Sequence, residues 1–401
     1  MRTYTETHPH INFSLDLREA GHKLWMLLGE ACSKADHLIG IPLLPAFAMD
    51  FYTLFLVKGV VATTQIEGNS LTEDQVRQLI EGTLDLPPSK EYLGQEVRNI
   101  VQGCHLIGKA VFRGRRATVK PNDIKRYNAL VLKDLPLPEH VEPGKIRTYD
   151  VGVGHYRGAP PEDCEHLLEK MCDLLNIDFD ALDLPKSALG ILKAIVAHIY
   201  IAWIHPFGDG NGRTARLIEF QVLLAAGIPS TAAHLFSNHY NLTRAEYYRQ
   251  LDKASSSGGD ILPFLEYALQ GFVDGLQEQI NSVKGQQLLV HWINFIHDTF
   301  RDKDSKTDIR RRRLVIDMSD DLDPVPLSKI RYISPRIAES YANKTDKTVQ
   351  RDLVILQAMK LVTKTRGGYI VCIDLMKAFM PRLHDNEHLA MDGQMELDLD
   401  G

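Results

Sequence analysis

Most long segments of this 401-residue chain repeat their apolar residues with the period of an α-helix. Helical patterns run through residues 17–35, 43–62, 71–84, 91–112, 121–133, 161–177, 187–204, 217–227, 243–254 and 261–282. The stretch 145–156 is instead rich in β-branched and aromatic residues, which favours a short hairpin. Thr72 is placed to cap the helix that follows it. We therefore expect a mainly α fold in which a helical core carries a β-hairpin.

The composition narrows the class of protein. Hydrophobic residues make up 44% of the chain and charged residues 24%, as in an ordinary soluble globular protein. The net charge of −6 does not indicate nucleic-acid binding by the chain as a whole. The five cysteines form no C-x-x-C pair, which argues against a zinc knuckle or disulfide framework and favours a reducing compartment. With no signal-peptide pattern and no uninterrupted apolar run of ~18 residues, we expect a cytoplasmic protein without a membrane partner.

The composition changes after about residue 283. From Lys284 to Arg382 there are 19 Lys and Arg against 12 Asp and Glu, so this part is basic. It contains the pattern helix, turn, helix, hairpin, which is the order of a winged helix-turn-helix. Residues 385–401 hold six acidic residues and no Lys or Arg, as is typical of a disordered tail.

The polar segment HPFGDGNGRTAR, residues 205–216, lies between two apolar helical patterns. A glycine-containing turn that enters a helix offers free N–H groups and a positive dipole end to an anion. Gly210 and Gly212 allow close approach because they have no Cβ. Arg213 and Arg216 are three positions apart and can contact one ligand, and guanidinium groups match phosphate oxygens.

Two further residues of this segment could carry chemistry. Asp209 is a hard oxygen ligand that suits Mg²⁺ beside a phosphate. His205, at the end of an apolar helix, could accept a proton from an attacking hydroxyl. Taken singly, a glycine turn, a histidine at a helix end and two arginines are commonly structural. Their combination within one segment favours nucleophilic attack on a nucleotide phosphate.

The segment resembles the Fic family motif, H-x-F-x-[DE]-G-N-G-R-x-x-R, and matches every specified position. The resemblance implies transfer of AMP from ATP to a Ser, Thr or Tyr hydroxyl of a target protein. It implies that His205 takes the hydroxyl proton and that Asp209 holds Mg²⁺. The residues that it assigns to ATP binding are Gly210, Asn211, Gly212, Arg213, Thr214, Ala215 and Arg216.

Alternatives to this reaction stay open. Doc-type kinases of the family carry a lysine in their version of the loop, whereas Gly212 stands here, which favours AMP transfer over phosphorylation. Because one family member transfers phosphocholine, another donor such as UTP or a CDP-alcohol is an alternative. A DNA-binding regulator whose core only senses nucleotide is another.

Residues 63–68, TTQIEG, resemble the family's inhibitory motif [ST]-x-x-x-E-[GN] through Thr63, Glu67 and Gly68. Thr63 and Glu67 are four residues apart and are expected to share a helix face. In inhibited members the glutamate pairs with the second motif arginine, here Arg216, so the resemblance implies autoinhibition by an N-terminal helix. On spacing alone, a capping or solvated role for Glu67 is favoured. Removal of AMP from modified protein, with Glu67 aligning a water, is a further hypothesis.

Two more regions resemble parts of the family. The predicted hairpin, preceded by the run from Gly144 to Arg147, resembles the flap that holds a target by strand addition, and a plain surface hairpin is the alternative. The resemblance assigns target binding to Val151, Val153 and His155. On the nucleotide side, Tyr247 and Tyr248 resemble an adenosine-binding pattern, although a tyrosine pair on a helix is commonly core. Ser255 stands where that pattern often ends in asparagine, which would change contacts with the base.

We expect four parts in the chain. They are an N-terminal helical region with the inhibitory helix (1–110), a Fic catalytic core (111–283), a winged-helix domain (284–384) and an acidic tail (385–401). In the third part, we expect a partner face that includes Thr345, Lys347, Thr348, Gln350, Arg351, Lys364, Arg366, Gly367 and Gly368. Duplex DNA, a second copy of the chain or another protein could bind there. Some self-modification is also expected, because the nearest hydroxyls belong to the chain itself.

Overall fold

The structure, a computed structural model, describes residues 3–114, 118–154, 156–177, 184–320 and 323–377. It confirms the mainly α fold. The α-helices are α1 Thr3–Thr7, α2 His22–Gly40, α3 Pro45–Gln65, α4 Glu73–Glu81, α5 Glu91–Phe112, α6 Pro121–Val131, α7 Cys164–Asn176, α8 Lys186–Ile204, α9 Asn211–Ala225, α10 Leu235–Leu242, α11 Arg244–Ser256, α12 Leu262–Thr299, α13 Lys306–Met318, α14 Leu327–Ile330, α15 Pro335–Tyr341 and α16 Asp346–Ala358. The strands are β1 Gly152–Val153, β2 Tyr156–Arg157, β3 Val362–Thr365 and β4 Gly368–Val371.

The first of two compact units, Met1–Ile280, is built around α8. This helix is apolar on nearly all sides and is therefore buried by its neighbours. α9 packs along α8, α5 and α6 pack on α9, and α2 and α7 pack on α8. The end of α8 and the start of α9 are thus fixed from several directions, and the segment 205–210 joins them.

Two helices, α3 and α8, are long and apolar enough to cross a membrane by length and composition alone. In the structure, 78% of the most apolar window of α8 and 50% of that of α3 are buried inside the protein. The core helix of a globular protein meets the same criterion, and the burial of α8 agrees with that role.

The helix α4 shows how local sequence sets the ends of an element. The Thr72 hydroxyl accepts a hydrogen bond from the Gln75 N–H (3.3 Å), and the Gln75 side chain accepts one from the Thr72 N–H (3.1 Å). This reciprocal pair is a capping box, and it confirms the predicted role of Thr72. At the other end, Gly82 takes the left-handed conformation (φ 72°) that ends many helices.

The second unit, Asn281–Gly401, has a core of its own, with Trp292, Ile296 and Phe300 among its buried residues. Its helix α15 is joined to α16 by residues 342–345, and the antiparallel pair β3–β4 follows. The predicted helix, turn, helix and hairpin are therefore present in this order. A role for them in binding DNA stays a prediction, and the expected acidic tail lies outside the described residues.

The run of arginines 310–313 is partly structural. The buried Asp352 carboxylate accepts hydrogen bonds from Arg310 Nε and Arg311 Nε, both at 2.8 Å, and from the Tyr341 hydroxyl at 2.9 Å. A buried carboxylate is costly without such partners. At least two of these four arginines therefore hold α13 against α16.

Candidate active site

The site begins where α8 ends. His205 follows the last residue of α8 and has φ 47° and ψ 58°, the left-handed conformation that a non-glycine residue rarely adopts. Gly210, just before α9, is also left-handed (φ 74°). These two positions turn the chain out of one helix and into the next, so the six residues between the helices form a compact loop.

Side chains from inside and outside the loop brace it. Asn211 donates a hydrogen bond to the Phe207 carbonyl (2.8 Å) and accepts one from the Phe207 N–H (3.0 Å). Asn128 of α6 donates to the Asp209 carbonyl (2.8 Å) and accepts from the Gly144 N–H (2.9 Å). The Asn211 side chain, which the resemblance assigns to ATP binding, therefore braces the loop.

The start of α9 offers donors to an anion. Its first helical hydrogen bond runs from the Thr214 N–H to the Gly210 carbonyl (2.9 Å). The N–H groups of Asn211, Gly212 and Arg213 precede that bond and have no partner within the helix. The positive end of the helix dipole lies at the same place. The geometry thus agrees with the predicted anion site, which main-chain groups build. Thr214 and Ala215 are buried.

Arg213 is held by two carboxylates. Its Nη1 is 2.7 Å from Glu96 Oε1, and its Nη2 is 3.1 Å from Asp209 Oδ1. Arg213 is only 4% exposed, so these contacts fix the direction of its guanidinium. Glu96, on α5, was missed by sequence reasoning, because no local spacing links residue 96 to residue 213.

Arg216 faces the predicted inhibitory motif. Its Nε donates to the Thr63 hydroxyl (2.6 Å), and its Nη2 donates to the Thr63 carbonyl (3.0 Å) and to Glu67 Oε1 (2.5 Å). The Arg216 side chain is 2% exposed and that of Glu67 is 28% exposed. The structure therefore brings together the three side chains that the resemblance paired.

Glu67 does not lie on the helix, contrary to the expectation from its spacing. α3 ends at Gln65, and Glu67 and Gly68 lie in the turn that follows, where Gly68 has φ 100°. The left-handed Gly68 turns the chain away from the axis of α3. That carboxylate lies against Gly212, where a Cβ atom would be 2.3 Å from Glu67 Oε1. It therefore occupies the space in front of the first turn of α9.

The charges around this carboxylate favour its ionised form. Burial acts to raise the pKa of Glu67, but the charge of Arg216 and its hydrogen bond outweigh burial and leave that pKa below its usual value. The charge of Arg213 acts in the same direction as that of Arg216. Glu67 is therefore a carboxylate at neutral pH, and it faces the site as an anion.

His205 is neutral at physiological pH. Burial is the main cause that lowers the pKa of its imidazole to about 4, and the nearby charge of Arg147 adds to that effect. A hydrogen bond with the Ala202 backbone and the carboxylates of Glu67 and Asp209 act in the opposite direction. An unprotonated imidazole is able to accept a proton, as a general base requires.

These groups line a cavity of about 660 Å³. Its walls include Glu67, His205, Gly212, Tyr247 and Tyr248. The Tyr247 hydroxyl is 2.8 Å from His198 Nε2, and Tyr247 is buried, while Tyr248 is 41% exposed. Both tyrosines thus line the cavity, and their contact with adenosine stays a prediction. A volume of this size suits a nucleotide-sized ligand.

Ser255 is not part of that cavity. It lines a neighbouring cleft of about 1120 Å³, and its hydroxyl donates to the Asp252 carbonyl (3.0 Å). The two spaces share Tyr156 and Asp252. Ser255 lies seven residues beyond Tyr248 on α11. The helix therefore places it away from Tyr247 and Tyr248, in the cleft.

The predicted hairpin is present as β1–β2, in which Val153 pairs with Tyr156, and its role as a target-binding flap stays a prediction. The Gly158 N–H donates to the Val151 carbonyl (3.0 Å), so the next pair, Gly152 and Arg157, points its main-chain groups outward. His8 Nε2 is 2.6 Å from the outward Arg157 carbonyl, which covers the β2 edge. The β1 edge is therefore the one on which a further strand could pair. His155 lies outside the described residues.

Asp209 fits the hard-ligand role expected of it. Its side chain is 44% exposed, and both hydrogen bonds that it accepts in the described part of the chain end on Oδ1. Among those residues, no cluster of three His, Cys, Asp or Glu side chains could hold a metal by itself. A Mg²⁺ ion here would thus use Asp209 together with phosphate oxygens and water, which is a common arrangement for this ion.

Comparison with known proteins agrees with this geometry. Residues 118–223 match the model of the Fic/DOC family. This region of the chain is thus similar to Fic/DOC domains. It includes the loop 205–210 and most of α9, the elements of the candidate anion site. Solved structures share the fold: Fic-1 from Caenorhabditis elegans is 26% identical, with a TM-score of 0.53 over 66% of this chain and 73% of that one. A Fic family protein from Desulfovibrio desulfuricans G20 is 19% identical, with a TM-score of 0.54 over 89% of this chain and 98% of that one.

Curated relatives carry names that state an activity. The protein adenylyltransferases fic-1 of Caenorhabditis briggsae and Caenorhabditis elegans are 30% and 31% identical over 230 residues. Each alignment covers 56% of this chain and 41% of the relative. Protein adenylyltransferase Fic of Nematostella vectensis is 28% identical, over 50% of this chain and 43% of the relative. The matched region thus spans less than half the length of these relatives.

Proposed function

We propose that this chain transfers AMP from ATP to a hydroxyl side chain of a target protein, and of itself, and that Glu67 restrains the reaction. The observation that carries the proposal is the joint placement of a neutral His205 and the open N-terminus of α9 on one cavity. A base and an anion site are the two parts that attack on a phosphate needs. The names of the relatives agree with this activity.

In the proposed reaction, His205 accepts the proton of the target hydroxyl as its oxygen attacks the α-phosphorus of ATP. The bond from that phosphorus to the bridging oxygen of the β-phosphate breaks, and pyrophosphate leaves. The free N–H groups of residues 211–213 and the guanidinium groups of Arg213 and Arg216 stabilise the phosphate charge. Mg²⁺ bound at Asp209 would supply further neutralisation of that charge.

Glu67 restrains the reaction by competition for the same space and the same cation. Its carboxylate lies against Gly212 and is bonded to Arg216, so a phosphate group and Glu67 cannot both use that part of the site. Charge-assisted hydrogen bonds of this kind contribute about 1.5–3 kcal/mol. The free energy that favours the inhibited state is therefore small, and a comparably small free energy would release Glu67 from Arg216.

The target is proposed to bind at the β1 edge of the hairpin. Main-chain pairing there would hold an extended segment near His205 without demanding a particular sequence. Gly152 offers its outward main-chain groups, and the neighbouring residues Val151 and Val153 flank them. The covered β2 edge leaves β1 as the side for such pairing.

The experiment that tests the transfer is intact-mass spectrometry of the full chain after incubation with ATP, GTP, CTP or UTP and Mg²⁺. Glu67→Gly is the active form, and the same form with His205→Ala is the matched control. An added mass of one AMP in the first and none in the second supports the proposal. Modification with UTP alone, or equal modification in both forms, contradicts it.

A second candidate function, DNA binding, is favoured by the surface of the second unit. Lys347, Gln350 and Arg351 are exposed on α16, and Lys364 and Arg366 are exposed at the β3–β4 hairpin. A helix and a hairpin with cations on their exposed sides suit a duplex groove and its phosphates. In fluorescence anisotropy with labelled duplex DNA, K347E/R351E should lower affinity and reduce the salt slope by about 2. R313E, which alters another exposed arginine, is the control, and an equal loss in it would contradict the proposed face.

A further inference from the structure

Arg147 is a buried cation without an ion-pair partner among the residues that the structure describes. It is 4% exposed, and its guanidinium points into main-chain oxygens. Nε donates to the His205 carbonyl (2.8 Å), Nη1 donates to the Tyr149 carbonyl (2.6 Å), and Nη2 donates to the Ala159 carbonyl. The Arg147 N–H also donates to the Pro206 carbonyl (3.0 Å). One residue thus holds four carbonyls.

Two of those carbonyls belong to the most strained part of the site. His205 is left-handed, a conformation that costs about 1–2 kcal/mol for a residue with a Cβ. Such a conformation persists only where the surroundings fix it. Its N–H is bonded to the Ile201 carbonyl (2.9 Å), and Arg147 holds the carbonyls of His205 and of the next residue, Pro206.

The other two carbonyls lie on either side of the hairpin. Tyr149 precedes β1 and Ala159 follows β2, so the same guanidinium ties both ends of β1–β2 to the loop of His205. Gly158 allows this close packing, because a Cβ there would be 3.0 Å from His205 Cβ and 3.1 Å from Arg147 Nη2. The hairpin and the histidine are therefore connected through one side chain.

We propose that Arg147 is a positioning residue that holds His205 in its left-handed conformation and locks the base of the hairpin to it. The consequence for the target rests on the proposed transfer reaction: a target strand paired with β1 would be set at a fixed distance from the imidazole. Arg147 itself touches no reacting atom in this account. The planar guanidinium of Arg147 is essential, because its N–H groups reach three carbonyls in fixed directions, which a lysine ammonium cannot do.

Charge gives a second, independent signature. The charged groups that act on His205 are Arg147, Glu67 and Asp209. Burial is the largest cause of the low pKa of His205, and Arg147 lowers it further, against the two carboxylates. Arg147→Met, which removes the positive charge, should therefore raise the pKa of His205. Arg147→Lys, which keeps the charge but removes the planar guanidinium, should leave that pKa nearly unchanged.

The test compares Arg147→Lys, Arg147→Met and Arg126→Lys in the full chain that carries Glu67→Gly. Arg126 lies on the surface of the same unit, near Asp123. For Arg147→Lys we expect kcat to fall about 100-fold with the KM for ATP unchanged, as for a misplaced base. NMR titration of labelled histidine should give a higher pKa for His205 in Arg147→Met and the parental value in Arg147→Lys.

The outcomes separate this inference from the transfer reaction. Unchanged kcat in Arg147→Lys, or an equal loss in Arg126→Lys, would overturn the positioning role, and so would an unshifted His205 in folded Arg147→Met. If Arg147→Met does not fold, Arg147→Lys decides alone through the division between kcat and KM. If the parental chain transfers no AMP, the proposed function fails, whereas the chemical shift and titration of His205 in the variants still test its positioning.

Discussion

At the residue scale, the guanidinium of Arg216 belongs both to the proposed restraint by Glu67 and to the proposed phosphate site. Arg216 uses Nε and Nη2 on Thr63 and Glu67, while its Nη1 is buried and has no hydrogen-bond partner in the described residues. A buried N–H without a partner is costly. The site therefore holds an unused donor beside the Glu67 carboxylate, and a phosphate that displaced Glu67 could satisfy it.

The first prediction concerns that displacement. Glu67→Gln keeps the size of the side chain but removes the charge that binds Arg216, so transfer of AMP should rise about 10- to 100-fold, the equivalent of one charge-assisted hydrogen bond. Initial rates of AMP incorporation measure it. Glu73→Gln, at an exposed position of α4, is the matched control and should leave the rate unchanged. A rate that does not change in Glu67→Gln would remove the restraint from the account.

The second prediction concerns His205. Because burial lowers its pKa to about 4, more than nine tenths of the imidazole should be unprotonated at about pH 5.5. The dependence of kcat/KM on pH should therefore show no loss from this group between about pH 7.5 and 5.5. An acid limb with a midpoint near 6.5, the value of an unperturbed histidine, would show that the imidazole is solvated and not held as the structure shows.

At the element scale, the helix α6 supports the loop although it contributes nothing to the motif. Asn128 is fully buried and bridges the Asp209 carbonyl and the Gly144 N–H. The loop before α9 and the run that leads to the hairpin are therefore attached to the same side chain. Rigid support of this kind is what keeps catalytic groups in a productive geometry.

The third prediction is that Asn128→Ala destabilises the first unit. The substitution removes the partner of the half-buried Asp209 carbonyl and of the half-buried Gly144 N–H, which costs up to about 1–3 kcal/mol for each group. Urea unfolding followed by circular dichroism would measure the loss. Asn122→Ala, at an exposed position of the same helix, is the control. Equal stability of Asn128→Ala and the parental chain would show that water or a shifted loop replaces the amide.

Several elements could be predicted closely from sequence. The bounds of α5 agree with the predicted 91–112, because its apolar period is regular. α12, predicted to end at residue 282, continues to Thr299. Gly285 weakens a helix only modestly, and the apolar residues Trp292 and Ile296, one turn apart, gain burial in the second core. The local sequence pattern could not predict this extension of α12, because the burial of Trp292 and Ile296 depends on tertiary packing.

The site was predicted as far as its motifs extend. The segment 205–216 stands out in the sequence, and the pairing of Glu67 with Arg216 is implied by the family resemblance; the structure brings these residues together. Glu96, Asn128 and Arg147 lie outside the motif and contact its residues from distant parts of the sequence. No periodicity or spacing indicates such contacts, because they depend on how the helices pack.

At the scale of the whole molecule, buried histidines link stability to pH. Burial lowers the pKa of His234, as of His205, to about 4. In the unfolded chain the same groups have pKa values near 6.5, so the unfolded state binds more protons between about pH 6.5 and 4. Acidification through this range therefore favours unfolding, and the stability is fully present only above it.

The fourth prediction follows from that linkage. Each such histidine should contribute up to about 1.4 kcal/mol of lost stability per pH unit within the range. Thermal unfolding of the full chain should show a Tm that is constant from about pH 8 to 7 and that falls steadily toward pH 5. A Tm that stays constant or rises toward pH 5 would mean that these imidazoles titrate freely in the folded protein.

The central claim is that a histidine and a helix N-terminus direct attack on the α-phosphate of ATP while Glu67 restrains it. The most direct measurement incubates the full chain with Mg²⁺ and ATP radiolabelled at either the α- or the γ-phosphate. The forms compared are wild type, Glu67→Gly, and Glu67→Gly with His205→Ala. We expect protein-bound label from α-labelled ATP alone, weak in wild type, strong in Glu67→Gly and absent without His205. Label from the γ-phosphate, or label that persists without His205, would contradict the account.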